Sequence, residues 1–282
     1  MTLTPSVRHT LVGAMLRSYR EAAGYKLDDA ANILECDRSK ISRIETGQRG
    51  IRPKELRELL TEYNVTAAAQ DTLAVLARPR DANAWRRDYR RVLPETYLDF
   101  AMAEAVASRI LVYAPLRVPE LLWTTEYGQA VASADPSIAE DAEEVTVEAA
   151  VAFRGGTFFE RRPDCTVILG EAALRHQAGS LDVIRAQLDH MTELSSPDYR
   201  WLTIRILPFS AGICPAGGAG ECSILQFSEL SDMGLVHVAG PQGGVCLSTP
   251  SSVDAYTTIF KRITPFSLDP GQSAQWLRRA AR

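Results

Sequence analysis

Gly24-Tyr-Lys-Leu-Asp-Asp-Ala-Ala-Asn-Ile-Leu-Glu-Cys-Asp-Arg-Ser-Lys-Ile-Ser-Arg-Ile-Glu-Thr-Gly-Gln-Arg-Gly-Ile-Arg-Pro53 decides how the chain is organised. The stretch fits two short helices joined by a tight turn. Asp28 and Asp29 fall in the first turn of the first helix, where the helix dipole favours anions. Asp37 can cap the second helix, and Gly47 can close it. In that second helix Ile41 and Ile44 lie three apart and share a face, while Arg38, Ser39, Lys40, Ser42 and Arg43 point elsewhere. A helix held by its apolar side thus offers a polar, cationic side to a long anionic partner.

Working outward, Leu11, Met15, Leu16 and Tyr19 make the apolar stripe of a helix over residues 12–23, ended by Gly24. Residues 1–10 are polar and expected to fray. Pro53 suits the first position of a fourth helix, with Leu56, Leu59, Leu60 and Tyr63 on its buried face. A fifth helix over residues 67–76 completes a head of five helices within residues 1–78. The central pair is a helix-turn-helix, whose second helix enters the DNA major groove.

Charge distribution agrees with this. The 282 residues carry a net charge of −4, yet residues 1–65 hold 11 basic and 9 acidic side chains, which leaves the remainder at −6. A mildly basic head on an acidic body suits a protein that touches double-stranded DNA with one end. No basic start precedes an apolar run, and no stretch approaches the length of a membrane span, so a cytoplasmic protein without membrane contact is expected. The 5 cysteines are scattered and form no C-x-x-C pair. Free thiols in a reducing compartment are the expectation. Cys214, Cys222, Cys246 and a histidine match no usual zinc spacing, so neither metal nor cofactor is expected.

Beyond the head, residues 79–100 form an arginine-rich junction: Arg80, Arg86, Arg87, Arg90 and Arg91 follow Arg78, with Pro79 and Trp85 among them. Such a charge run is read as a solvated, partly helical linker, the alternative being an arm that tracks phosphates beside the head. Residues 101–154 then suggest helices, with Phe100, Ala103, Ala107, Ile110 and Leu111 at helical spacing and a break at Pro115–Pro119. After Pro163 the period changes. Short strands are expected over 166–169, 201–207, 222–227, 235–239 and 245–248, with helices over 181–194, 252–263 and 271–281. The second unit, residues 101–282, is therefore of α+β class with a small antiparallel or mixed sheet.

Leu16-Arg17, Arg20-Glu-Ala-Ala-Gly24, Ala31 and Ile41-Ser-Arg-Ile-Glu-Thr-Gly47 together resemble the lambda-repressor-like (Xre-type) helix-turn-helix family. Two positions depart from that pattern. The family usually has Gln where this chain has Leu27, and Gly at the turn where it has Glu35. A non-glycine residue in a left-handed turn costs roughly 1–2 kcal/mol. Farther on, Trp85, Tyr89, Leu93-Pro94, Glu104, Val118-Pro119, Leu121-Leu122, Tyr127, Glu171-Ala-Ala-Leu174 and Ile204-Arg-Ile-Leu-Pro-Phe-Ser-Ala-Gly212 resemble the C-terminal domain found behind such heads in actinomycete-type, antitoxin-like transcriptional regulators. That family usually has Gly in place of Glu120 and Gln in place of Trp123.

The resemblance implies an antitoxin-like transcriptional regulator paired with a small companion protein encoded nearby; a repressor is expected, bound as a homodimer because a single small head has limited affinity. Matched by position, Arg38, Ser39 and Arg43 are the base-edge readers. Lys40, Ser42, Thr46, Gln48, Arg49 and Arg52 are backbone contacts, which position the head without reading sequence. Arg20 and Glu45 match positions that pair with each other as a structural brace. The alternative is a ligand-sensing or protein-interaction module with weak DNA binding. The four histidines are far apart, Pro215-Ala-Gly-Gly-Ala-Gly220 lacks the ending of a phosphate loop, and no nucleophile or acid–base constellation stands out. No enzymatic activity is therefore expected. Glu171 is read as a helix-start carboxylate.

Overall fold

The computed structural model describes residues 7–78, 89, 93–136, 138, 142–212, 216, 218–227, 230–240 and 244–282. The junction arginines Arg80, Arg86, Arg87, Arg90 and Arg91 and the thiol of Cys214 lie outside the described residues.

The head is built from α1 (Val7–Ala22), α2 (Leu27–Ile33), α3 (Arg38–Glu45), α4 (Pro53–Glu62) and α5 (Ala67–Ala77). Its core is the set the periodicity selects: Leu11, Met15, Leu16, Ile41, Ile44, Leu56, Leu59 and Leu60 are all buried, joined by Leu73 and Leu76. The first helix starts earlier than its apolar stripe suggests. Its opening turn is anchored rather than frayed, because Arg8 is buried and its Nη1 donates to the carbonyl of Arg78 at 2.8 Å.

The larger part begins with α6 (Glu95–Glu104), followed by β1 (Arg109–Ala114). After a single turn of 3-10 helix at Glu120–Leu122 come α7 (Thr125–Ala134), α8 (Glu143–Glu148), a π-helical segment (Ala149–Gly155) and α9 (Gly156–Arg161). Then follow β2 (Asp164–Gly170), α10 (Glu171–Arg175), α11 (Leu181–Leu194), β3 (Leu202–Leu207), β4 (Cys222–Phe227), β5 (Leu230–Val238), β6 (Val245–Leu247), α12 (Pro250–Ile263) and α13 (Pro270–Ala280). Side-chain caps start several of these helices. The Thr249 hydroxyl accepts from the Ser252 amide at 3.2 Å, and the Asp269 carboxylate from the Gln272 amide at 2.8 Å.

The six strands form one mixed sheet in the order β3-β2-β1-β4-β5-β6. β1 runs parallel to β2 and antiparallel to β4, so it is the seam between a parallel half and an antiparallel half. Alternate residues of β1 serve opposite faces. Leu111 and Tyr113 pack toward Val253, Phe260 and Ile263 of α12, whereas Ile110, Val112 and Ala114 join the core on the other side. The sheet is thus covered on both faces.

β1 corrects the helical expectation for Ile110 and Leu111. The helix carrying Phe100 and Ala103 stops at Glu104, and Arg109–Ala114 is strand. A central strand buried on both faces presents a continuous apolar run with no alternation, which periodicity cannot separate from a buried helix.

The two parts share an interface. α1 and α5 both pack against α6. Across this contact Arg8 faces Asp99, with Nε 3.6 Å from Oδ1 and side-chain exposures of only 1% and 3%.

Candidate nucleic-acid interface

α3 is held from beneath by α1. Ile41 and Ile44 sink into the head, and Gly13 of α1 lies directly under the last turn. A Cβ on Gly13 would sit 2.3 Å from the carbonyl oxygen of Ile44, so the two backbones meet where only glycine fits. Arg20 and Glu45 clamp the same crossing. Arg20 Nε donates to Glu45 Oε1 at 2.7 Å and Nη2 to Oε2 at 2.9 Å, while Nη1 donates to the carbonyl of Tyr25 at 2.8 Å. Both side chains are 7% exposed. The hydrogen bonds to Glu45 hold the Arg20 guanidinium above its usual range against the opposing effect of burial. This forked, charge-assisted pair fixes how far α3 stands from the body of the head.

On the outer side Arg38, Ser39 and Arg43 are exposed. Arg43 Nε donates back to the Ser39 carbonyl at 3.2 Å, and Arg38 Nη1 stands 3.8 Å from Asp28 Oδ2 on α2. Gln48, Arg49 and Arg52 are exposed on the loop leading into α4. Ser42 and Thr46 lie at the end of α3, where the Thr46 hydroxyl donates to the Ser42 carbonyl at 2.8 Å. Lys40 is placed differently from its neighbours. Its Nζ is 2.7 Å from Glu55 Oε1, and its side chain is only 18% exposed. Burial disfavours the Glu55 carboxylate, but the bonds from Lys40 and from the Arg52 amide outweigh this and hold its carboxyl below the usual range. Lys40 therefore ties α3 to α4 as well as adding positive charge to the surface.

The two departures have a clear structure. Leu27 begins α2 and packs partly buried against the core. Glu35 adopts φ of 47° in the turn before α3, the left-handed conformation that glycine usually supplies. Replacing Glu35 by glycine is expected to raise the unfolding free energy by about 0.5–1 kcal/mol, the relief of left-handed strain less glycine's greater freedom in the unfolded chain. The midpoint of urea unfolding reads this directly. A lowered midpoint would mean that the Glu35 side chain contributes more than its backbone costs.

Sequence reading misses a second polar cluster, in the larger part. Arg154, on the π-helical segment, donates from Nε and Nη2 to Glu104 at 2.7 and 2.9 Å, and from Nη1 to Glu120. The Tyr97 hydroxyl donates to Glu120 at 2.9 Å and accepts from Arg154 at 3.3 Å. The Arg154 guanidinium also lies 5.2 Å and 5.1 Å from the ring centres of Tyr97 and Phe100. Burial alone would lower its pKa, yet Glu104, Tyr97 and Glu120 drive it well above the ordinary arginine value. The one signal in the sequence was Glu120, a carboxylate where the resembling family usually has glycine. Glu171 begins α10; its carboxylate accepts from the Phe209 amide at 2.8 Å and from Arg175 at 2.7 Å.

A family model described as a helix-turn-helix domain matches residues 11–73, the segment that holds α2 to α4 and most of α1 and α5. A second, described as Domain of unknown function (DUF5753), matches residues 97–279, well over half of the chain. The chain belongs to the DUF5753 family. No curated protein and no solved structure matches it. In this DUF5753 protein the helix-turn-helix domain marks a DNA-binding regulator. Among the described residues no helix is long and apolar enough to cross a membrane.

Proposed function

We propose that this DUF5753 protein is a sequence-specific transcriptional regulator of the antitoxin-like, repressing kind, located in the cytoplasm. Residues 1–78 are the DNA-reading unit and residues 79–100 an arginine-rich junction. Residues 101–282 mediate homodimerisation or hold a small companion protein. The observation that carries the reading is the outer face of α3, with exposed Arg38, Ser39 and Arg43 on a helix braced by the Arg20–Glu45 pair. The arginines suit the paired acceptors of guanine in the major groove. Ser42, Thr46, Gln48, Arg49 and Arg52 serve the phosphate backbone, with Lys40 as a fixed charge at its edge. A dimer would read two half-sites about one helical turn apart.

A gel shift against the protein's own upstream region, run across a salt series, tests this. Three cations per head, Lys40, Arg49 and Arg52, predict for a dimer a log–log salt slope of about −5. An absent or salt-insensitive shift would reject the reading.

A second reading, a protein-interaction module with weak DNA binding, draws on Leu27 in place of the usual polar residue and on the engagement of Lys40 by Glu55. A stoichiometric complex with a small neighbouring gene product that survives loss of Arg38 and Arg43 would favour it.

A further inference from the structure

Beside the Arg154 cluster lies a cavity of about 260 Å³. Its walls are apolar and aromatic, with Tyr97 and Phe100 of α6, Val112 of β1, and Leu121 and Trp123 after the Pro115–Pro119 break. Its polar end holds the carboxylates of Glu120, Asp135 and Glu221 against the guanidinium groups of Arg117 and Arg154. An apolar cleft with a few convergent polar groups is the common form of a small-molecule site. We infer that this cavity binds a small organic cation with an aromatic-sized apolar body, and that its occupancy acts on the head through α6.

The charge balance selects the sign of the ligand. Both arginines are already engaged: Arg154 by Glu104 and Glu120, and Arg117 by Glu221 at 2.8 Å and Asp135 at 3.9 Å. Among the described residues the lining carries three carboxylates against two guanidinium groups, with the imidazole of His237 beside them. Counting Glu104 behind Arg154, the described carboxylates exceed the guanidinium groups by two. Burial pushes the Glu221 carboxyl above its usual range, and nearby Glu120 pushes it the same way. A bound ammonium group relieves what a proton on Glu221 would otherwise relieve. An anion would meet the excess of carboxylates instead. Among the described residues no group of three or more His, Cys, Asp or Glu could hold a metal ion.

The route to the head is short. Tyr97 and Phe100 line the cavity, while Asp99, between them in sequence, turns to the head side of α6 and faces Arg8 of α1. α1 in turn carries Gly13 and Arg20, the two residues that seat α3. This part of the inference rests on the DNA-binding reading; the ligand site does not.

Calorimetric titration of the full chain with tryptamine and with indole-3-propionate tests the site. The two share a ring and a two-carbon spacer and differ in the sign of charge. Tryptamine is expected to saturate one site with Kd below about 1 mM, and indole-3-propionate to bind at least about tenfold more weakly. Glu221→Gln, which keeps shape and removes charge, should weaken tryptamine about tenfold, and Asp135→Asn in the same direction. No saturable heat with tryptamine overturns the site. Equal or tighter binding of the propionate, or indifference to both substitutions, overturns its cationic specificity. Anisotropy titration of the upstream duplex with and without tryptamine then reads the coupling, expected to change affinity about fivefold or more. Tryptamine binding with unchanged duplex affinity overturns the coupling. A chain that binds no duplex in either condition overturns the proposed function and leaves the calorimetric result standing.

Discussion

Glu45→Ala is expected to lower both the unfolding free energy, by about 3–5 kcal/mol, and the affinity for DNA. The loss is large because Arg20 and Glu45 are each only 7% exposed. Removing one leaves the other buried without its counter-charge; among the described residues Arg20 then keeps Tyr25 and the exposed Glu21 as partners. α3 loses the fork that fixes its last turn, so the surface it presents is less well ordered. Arg43→Ala makes the opposite case. Its side chain is exposed and, among the described residues, hydrogen-bonds to the Ser39 carbonyl of its own helix, so stability should move by no more than about 0.5 kcal/mol. Affinity for the operator should still fall by about 1–3 kcal/mol if Arg43 reads a base edge. Thermal melts and anisotropy titrations of the two variants separate brace from reader. Equal melting temperatures would reject the division.

Arg154→Leu is the second large effect. Glu104 has a side chain 4% exposed and Glu120 one 16% exposed, and both face Arg154. Without the guanidinium, two carboxylates remain close together in a poorly hydrated site, and a loss of about 3–5 kcal/mol is expected. For a chain of this size the melting temperature should drop by roughly 10 °C. Adding Glu104→Leu to Arg154→Leu should recover much of the loss, because an apolar replacement of a whole buried pair is often close to neutral. Differential scanning calorimetry of the single and double variants decides the matter. A double variant no more stable than the single one would mean that Arg154 acts through its contacts with Tyr97 and Phe100 rather than through charge.

What the sequence disclosed follows from what is local. Helix breaks at Gly24, Gly47 and Pro53 and the apolar spacing of Leu56, Leu59 and Leu60 depend on neighbours a few residues away, and the head followed from them. The edge strand β3 and the central strand β4 announced themselves in the same way, through alternation or a bounded apolar run. β1 was hidden because it is buried along its whole length after Arg109, which erased the alternation that marks a strand, whereas β4 keeps the less buried Ser223 and Gln226. Partners separated by 91 positions, Arg8 and Asp99, or by 50, Glu104 and Arg154, carry no mark in the sequence at all. At the interface, residue type revealed which side chains face outward on α3. It did not reveal that Glu55, on the next helix, would draw in Lys40.

The contact of Arg8 with Asp99 also bears on how such proteins can be recombined. The chain is punctuated as a head followed by a body, which invites exchange of heads as interchangeable cassettes. Yet the first turn of the head is closed by a carboxylate from the body. A foreign head with an apolar or acidic residue at that position would bury Asp99 against the wrong neighbour. Productive chimaeras must carry residues 8 and 99 together, even though the two parts match two separate family models.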